Sequence, residues 1–428
     1  MSADNKKIAF SLSETSFVLQ PPPSPVKEKV STLPTFLQEG DGAYGDNLVS
    51  ENQMSQQDAS SDDSFNNETT EERMSQLMVH NERSFALYPP PPHKHGPIIA
   101  VTCYSQFSDL AHGPRGIEAK RAMRTYRLNI SDGTLTLLSM TPEGMLHNPA
   151  FCRWHPKLNV LYSCTESLTQ EGKVYAFALN GKTGALQEHC PSVAAGGFST
   201  CYLTIHPAGR RMLLVNYWDS TICTLSLNPD GAMGSIIAQY DPKQGKAMKA
   251  SSTKHVNHSC NDAAAQKERQ GDPHSHAIVL EPTGTMAYVP DLGMDIIRQF
   301  FFDESSGKLT PCGTIVSGVK SKESGRGLGP RYLQFHPSLP TCYVVNELSS
   351  QVAVFAYNQT ATERLSRAVE EAESPEAKAA AIGACEPTLS LVQTASTLPE
   401  AFPPEMNTCG RITIHPSGGE RVRVRGEG

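Results

Sequence analysis

Tyr202-Leu203-Thr204-Ile205-His206-Pro207, a short turn, and then Met212-Leu213-Leu214-Val215 form the phrase that decides the fold. An apolar run closing on a dipeptide that ends in proline, followed by a turn and a second apolar run, reads as two antiparallel strands. The phrase recurs along the chain. Phe151-Cys152-Arg153-Trp154-His155-Pro156 leads to Val160-Leu161-Tyr162, and Ala277 to Pro282 leads to Met286-Ala287-Tyr288-Val289. Tyr332 to Pro337 leads to Cys342-Tyr343-Val344-Val345, and a fifth copy starts at Arg411-Ile412-Thr413-Ile414-His415-Pro416. The marker prolines 156, 207, 282, 337 and 416 are 51, 75, 55 and 79 residues apart.

The two long gaps hold insertions, at about 241–272 and 360–387, and without them the period is near 50 residues. The second insertion is rich in Ala and Glu and is expected to form a surface helix. A third apolar run follows each pair (Val174 to Ala178, Thr221 to Leu227, Ile296 to Phe302, Val352 to Tyr357). Turns such as Asn180-Gly181 and Asp230-Gly231 then lead to a fourth. Four antiparallel strands at this period describe a β-propeller blade, and solenoid repeats are usually shorter. The fold class is therefore all-β, a β-propeller of four-stranded antiparallel blades over residues 96–428. Residues 1–95 read as a disordered acidic tail: Pro- and Ser-rich, with 14 Asp+Glu against 7 Lys+Arg up to residue 94.

Composition bounds the function. Past the tail, acidic and basic residues balance at 30 each, so no basic face for nucleic acid is expected. No window approaches 18 uninterrupted apolar residues, so no membrane span is expected. Eleven scattered cysteines without a CxxC pair fit a reducing compartment, and the expected location is cytoplasmic.

The repeat register exposes a site. Six residues before each marker proline, at the start of the first strand, stand Ala150, Cys201, His276, Arg331 and Gly410. Ten residues after it, past the second strand, stand Glu166, Tyr217, Leu292 and Glu347, preceded by Thr165, Asn216, Asp291 and Asn346. The start of one strand and the end of its hairpin partner share one edge of a sheet. First strands line the channel, so a His/Arg/Glu group is expected at its mouth. His155, His206, His336 and His415 fall at the opposite edge, where turn and packing roles are expected. His274 and His276 could share a metal, but no carboxylate or further histidine stands at ligand spacing beyond His255 and His258 in the insertion. Neither a metal nor a cofactor is expected.

These same phrases carry a resemblance. Asp272-Pro273-His274-Ser275-His276-Ala277, Val289-Pro290-Asp291-Leu292-Gly293, Gly329-Pro330-Arg331 through Pro337, and Val345-Asn346-Glu347-Leu348-Ser349-Ser350 closely resemble the seven-bladed lactonase propellers. That family includes 6-phosphogluconolactonases and carboxy-muconate cyclases, and the resemblance runs from about 97 to 418. It implies His276, Arg331 and Glu347 as catalytic residues. Arg269, in Glu268-Arg269-Gln270, is implied as an anion-binding residue, and His274, Glu166, Tyr217 and Asn346 are grouped with it as substrate contacts.

The function expected is hydrolysis of a small sugar-derived lactone, foremost 6-phosphogluconolactone. His276 or Glu347 would be the base, Arg331 would stabilise the oxyanion, and Arg269 would clasp the phosphate. The alternative within the fold is cyclisation of a muconate-type diacid, which a strongly aromatic pocket would favour. A third reading is a non-catalytic binding platform, though the repeated Trp-Asp signature of scaffold propellers is absent. The chain reads Gly419 to Gly428 where the family continues a final blade. About five and a half blades remain at this period, so an open ring with an unpaired edge near Ile98 to Tyr104 is expected.

Overall fold

The computed structural model describes residues 96–110, 116–243, 269–320, 326–399, 402, 407–414 and 422–427. The acidic tail, most of the first insertion with His255 and His258, and the fifth marker His415-Pro416 lie outside the described residues. Every sheet is an antiparallel meander in which consecutive strands are neighbours. Blade 1 spans residues 98–140 with three strands. Blades 2 to 5 span 149–198, 200–240, 279–316 and 330–396 with four strands each. Blade 6 contributes two strands among the described residues, Thr408–Ile414 and Val422–Glu427.

Inner strands meet around the axis, Pro149–Trp154 against Thr200–Ile205 and Pro330–Phe335 against Thr408–Ile414. These strands run away from the mouth. Ile98–Thr102 of blade 1 instead runs towards it, as the second strand of every other blade does. Blade 1 thus occupies strand positions two to four, and among the described residues Ile98–Thr102 pairs on one side only.

Alternating side chains wedge the blades together. Leu203, Leu213, Leu214, Ile222 and Phe300 belong to one buried cluster running through blades 2 to 4. The marker histidines close the far edge. His155 Nδ1 accepts the backbone N–H groups of Lys157 and Leu158 (both 3.1 Å), His206 Nδ1 that of Ala208 (3.2 Å), and His336 Nδ1 those of Ser338 (3.2 Å) and Leu339 (3.0 Å). With Nδ1 accepting, Nε2 carries the proton, and that of His155 donates to Gly209 O in the next blade at 3.0 Å. Gly209, at φ +76°, is confined to glycine there because a Cβ would stand 2.7 Å from His155 Cε1.

The second insertion corrects the expectation of one surface helix. It forms two, α1 (Gln359–Glu370) and α2 (Pro375–Gly383), N-capped by Asn358 and Ser374. Leu365, Val369 and Ile382 are buried in the cluster of Tyr288, Phe335 and Tyr357. Leu365 and Val369 stand four apart, so they form one apolar stripe that must be covered. No helix among the described residues is long and apolar enough to cross a membrane.

Candidate active site at the channel mouth

The site residues stand where the ladder breaks. In blade 2, Pro149 pairs with Thr165 and Phe151 with Cys164, so Ala150 is an extra, unpaired residue. The same shift isolates Cys201 in blade 3, Arg331 in blade 5 and Gly410 in blade 6. In blade 4 a bridge between Ser275 and Asp291 precedes the short strand Val279–Leu280, in a register that leaves His276 in the same place. Each is a β-bulge, which bends the strand and re-aims a side chain. The column six residues before the proline is therefore a ring of bulges.

The second column is hooked on beside it. Glu166, Tyr217, Leu292 and Glu347 donate their backbone N–H groups to the carbonyls of Asn148 (2.9 Å), Ser199 (2.9 Å), His274 (2.9 Å) and Gly329 (2.6 Å). Gly329 has φ +63°, and a Cβ on it would collide with the Leu348 side chain.

His276, Arg331 and Glu347 converge. Arg331 Nε donates to His276 Nε2 at 2.9 Å and lies 3.2 Å from Glu347 Oε2. Glu347 Oε1 accepts from Arg269 Nη2 at 2.6 Å, and Arg269 Nε donates to the Tyr217 hydroxyl at 3.2 Å. Arg269 and Glu347 are buried to 3% and 4% side-chain exposure, whereas Arg331 keeps 17% and remains accessible. With Nε and Nη2 engaged, the Arg269 fork has Nη1 without an acceptor among the described residues. The bidentate phosphate clasp expected of Arg269 is thus occupied by Glu347 and Tyr217.

Burial and the facing Arg331 push the His276 imidazole down to about 3, so it is neutral at physiological pH. Burial alone would raise Glu347, but the flanking Arg269 and Arg331 outweigh it and hold the carboxyl below its ordinary range. Cys201 lies against His276, its Sγ 3.8 Å from Nδ1, and burial raises that thiol well above its ordinary value.

Tyr217 packs between the two histidine positions, 4.9 Å from the His274 ring and 5.2 Å from His276. His274 also meets Trp218 at 5.5 Å, and burial takes its imidazole down to about 4. No group of three His, Cys, Asp or Glu residues suited to a metal occurs among the described residues. Asn346 is not brought into the cluster; its amide donates to Ser317 O at 3.0 Å.

Glu166 faces the cluster from blade 2, with Oε2 accepting from the Tyr104 hydroxyl at 2.9 Å. Burial raises its carboxyl, while Tyr104 and the charge of Arg331 pull the other way. Tyr104 is a residue the sequence reading missed. It belongs to the same column as Glu166, Tyr217, Leu292 and Glu347, but blade 1 lacks the proline-ended phrase that sets the register.

Also missed was the column one step inside the bulges, Phe151, Tyr202, Ala277, Tyr332 and Arg411, although the register contains it. Its rings make an aromatic floor. Phe151 and Tyr202 centroids are 4.5 Å apart, Tyr202 and Tyr332 5.5 Å, and Tyr332 and His276 5.4 Å. The Arg411 guanidinium sits 4.9 Å from the Phe151 centroid and 5.5 Å from Tyr332. Arg153 donates to the Tyr202 hydroxyl at 2.8 Å from the next layer.

A meander of four-stranded antiparallel blades around a common axis defines a β-propeller. Residues 99–420 match the family described as Lactonase, 7-bladed beta-propeller, and the chain belongs to that family. It is 27% identical over 218 residues to the 6-phosphogluconolactonase of Bacillus subtilis (strain 168), covering 51% of this chain and 54% of that one. To the probable 6-phosphogluconolactonase of Arthroderma benhamiae it is 24% identical over 263 residues, covering 60% and 52%. The chain spans about half the length of these curated relatives. Among solved structures, the periplasmic gluconolactonase PpgL of Pseudomonas aeruginosa superposes with TM-score 0.53 at 20% identity, covering 72% of this chain and 73% of that one. A putative 6-phosphogluconolactonase of Bacteroides fragilis gives 0.52 at 20%, covering 77% and 74%. At such identity the likeness is one of fold.

Proposed function

We propose that the protein hydrolyses a small sugar-derived lactone, 6-phosphogluconolactone foremost, to the open hydroxy acid. The observation that carries this reading is the pairing of a neutral imidazole with two guanidinium groups at a propeller mouth. Ester hydrolysis develops negative charge on the carbonyl oxygen, and fixed cations in a partly dehydrated site stabilise it. Arg331, oriented by His276 and still accessible, is the group for that oxygen. Arg269, buried against Glu347 and Tyr217, holds the Glu347 carboxylate that in turn faces Arg331. Tyr217 and His274 shape the wall beside it. Water and lactone suffice as reactants.

One observation favours a second reading. The floor of Phe151, Tyr202 and Tyr332 suits a flat unsaturated diacid, a carboxylate of which Arg331 would bind while a lactone ring closes. Purified full-length protein is to be offered 6-phosphogluconolactone, gluconolactone and carboxy-muconate. Lactone opening well above the spontaneous rate is expected. Ring closure on the diacid alone would move the conclusion to the second reading, and inertness towards all three would remove both.

A further inference from the structure

We propose that Glu166, held by the Tyr104 hydroxyl, carries the proton in the reaction at this site. This role rests on the lactone reading given above. The geometry points to it by elimination and by position.

The two groups implied as bases by family resemblance are poorly placed for the task. The Nε2 lone pair of His276 already accepts the Arg331 Nε–H at 2.9 Å, and its other face is covered by Cys201. Glu347 lies between two guanidinium groups, at 2.6 Å from Arg269 and 3.2 Å from Arg331. A carboxylate so clamped is a weak base, and its evident work is to hold both arginines in place.

Glu166 differs on each count. It stands in blade 2, just past the second strand, and is half-buried. One oxygen accepts from Tyr104, and among the described residues Oε1 has no hydrogen-bond partner. Two carboxyl groups whose surroundings drive their affinities for protons apart are a recurrent acid–base arrangement. Here Glu347 is held ionised by its arginines, while burial raises the Glu166 carboxyl above its ordinary value.

The step balances without a further reactant. The Glu166 carboxylate takes one proton from water as the water oxygen bonds to the lactone carbonyl carbon. The oxyanion so formed faces Arg331. The bond from that carbon to the ring oxygen then breaks, and Glu166 returns its proton to the departing alkoxide. The product is the hydroxy acid, which loses its acid proton to solvent.

The base must be ionised, so turnover should rise with pH through the raised Glu166 titration. Besides burial, three groups act on that titration. Tyr104 and Arg331 favour the carboxylate, and Asp109 opposes it. The nearby thiols of Cys164 and Cys201 are held protonated by burial and add no charge. Removing the Tyr104 hydroxyl should therefore move the acid limb to higher pH.

The test is the pH profile of kcat/KM for lactone opening by the full chain and its variants. Glu166→Gln should lose on the order of 10²–10⁴-fold and its acid limb, with KM nearly unchanged. Glu166→Asp should recover part of the rate. Tyr104→Phe should lose less and show the limb displaced upward in pH. Should Glu166→Gln fail to fold, the Tyr104→Phe displacement carries the test alone. An active wild type whose Glu166→Gln form keeps both rate and acid limb, or whose Tyr104→Phe form shows an unmoved limb, overturns this role only. A wild type that opens no lactone overturns the lactone reading and this role together.

Discussion

Replacing Arg269 by Met should expose how the site is held together. The Arg269–Glu347 pair is almost wholly buried, with 2.6 Å between Nη2 and Oε1. Removing one partner of such a pair typically costs about 3–5 kcal/mol, because the remaining charge is stranded. Arg331 still stands 3.2 Å from the other Glu347 oxygen, which places the expected loss near the lower end of that range. For a domain of this size that corresponds to a fall in melting temperature of roughly 4–6 °C.

The pH dependence gives the sharper signature. In the wild type Glu347 is held below its ordinary range, so its contribution is fully present above the unfolded value of about 4.3 and is lost only as pH falls further. In Arg269→Met, burial dominates and the carboxyl is raised. The folded state is then penalised at neutral pH and relieved as acid protonates Glu347. The stability gap should therefore be widest at pH 7 and shrink towards pH 5. Adding Glu347→Met should restore most of the loss, since an apolar pair of similar volume is often neutral or better. Equal melting at pH 7, or a gap that stays constant down to pH 5, would refute the reasoning.

Other outcomes are expected. Arg331→Ala should lower lactone kcat on the order of 10²-fold or more if it faces the oxyanion, as initial rates at saturating substrate would read. His206→Ala should keep a near-wild-type rate while losing about 1 kcal/mol of stability with the Ala208 N–H bond, measured by denaturant titration beside the lactone assay. Gly209→Ala should cost about 1–2 kcal/mol from its left-handed backbone alone, plus the displacement of His155, as a lowered melting temperature.

Blades 2 to 5 were legible because each carries its own punctuation: a turn on a dipeptide ending in proline, where the imidazole of His155, His206 or His336, or the carboxylate of Glu281, caps the backbone beyond it. That repetition also aligned His276 with Arg331 and Glu347 with Tyr217, although no two of these are close in sequence. What repetition does not govern stayed hidden. Tyr104 sits in a blade that starts at its second strand, so nothing marks its register. Arg269 follows a long insertion, and only the packed structure shows its fork turned onto Glu347 and Tyr217. The aromatic floor was in the register, but Phe151, Tyr202 and Tyr332 look like ordinary core residues until their strands meet. The helical pair of blade 5 needed the partner surface that Leu365 and Val369 cover.

The ring of bulges has a consequence for how such a protein can change. A bulge residue is skipped by the pairing on either side, so its side chain is not answerable to the register of the sheet. Ala150, Cys201, His276, Arg331 and Gly410 therefore occupy sockets in which chemistry can be exchanged while the surrounding ladders stay in step. Two sockets carry the reactive groups, and the others hold small residues. A new acid, base or cation could enter the mouth by a single substitution at Ala150 or Gly410, which gives this scaffold a short mutational route to a differently charged mouth.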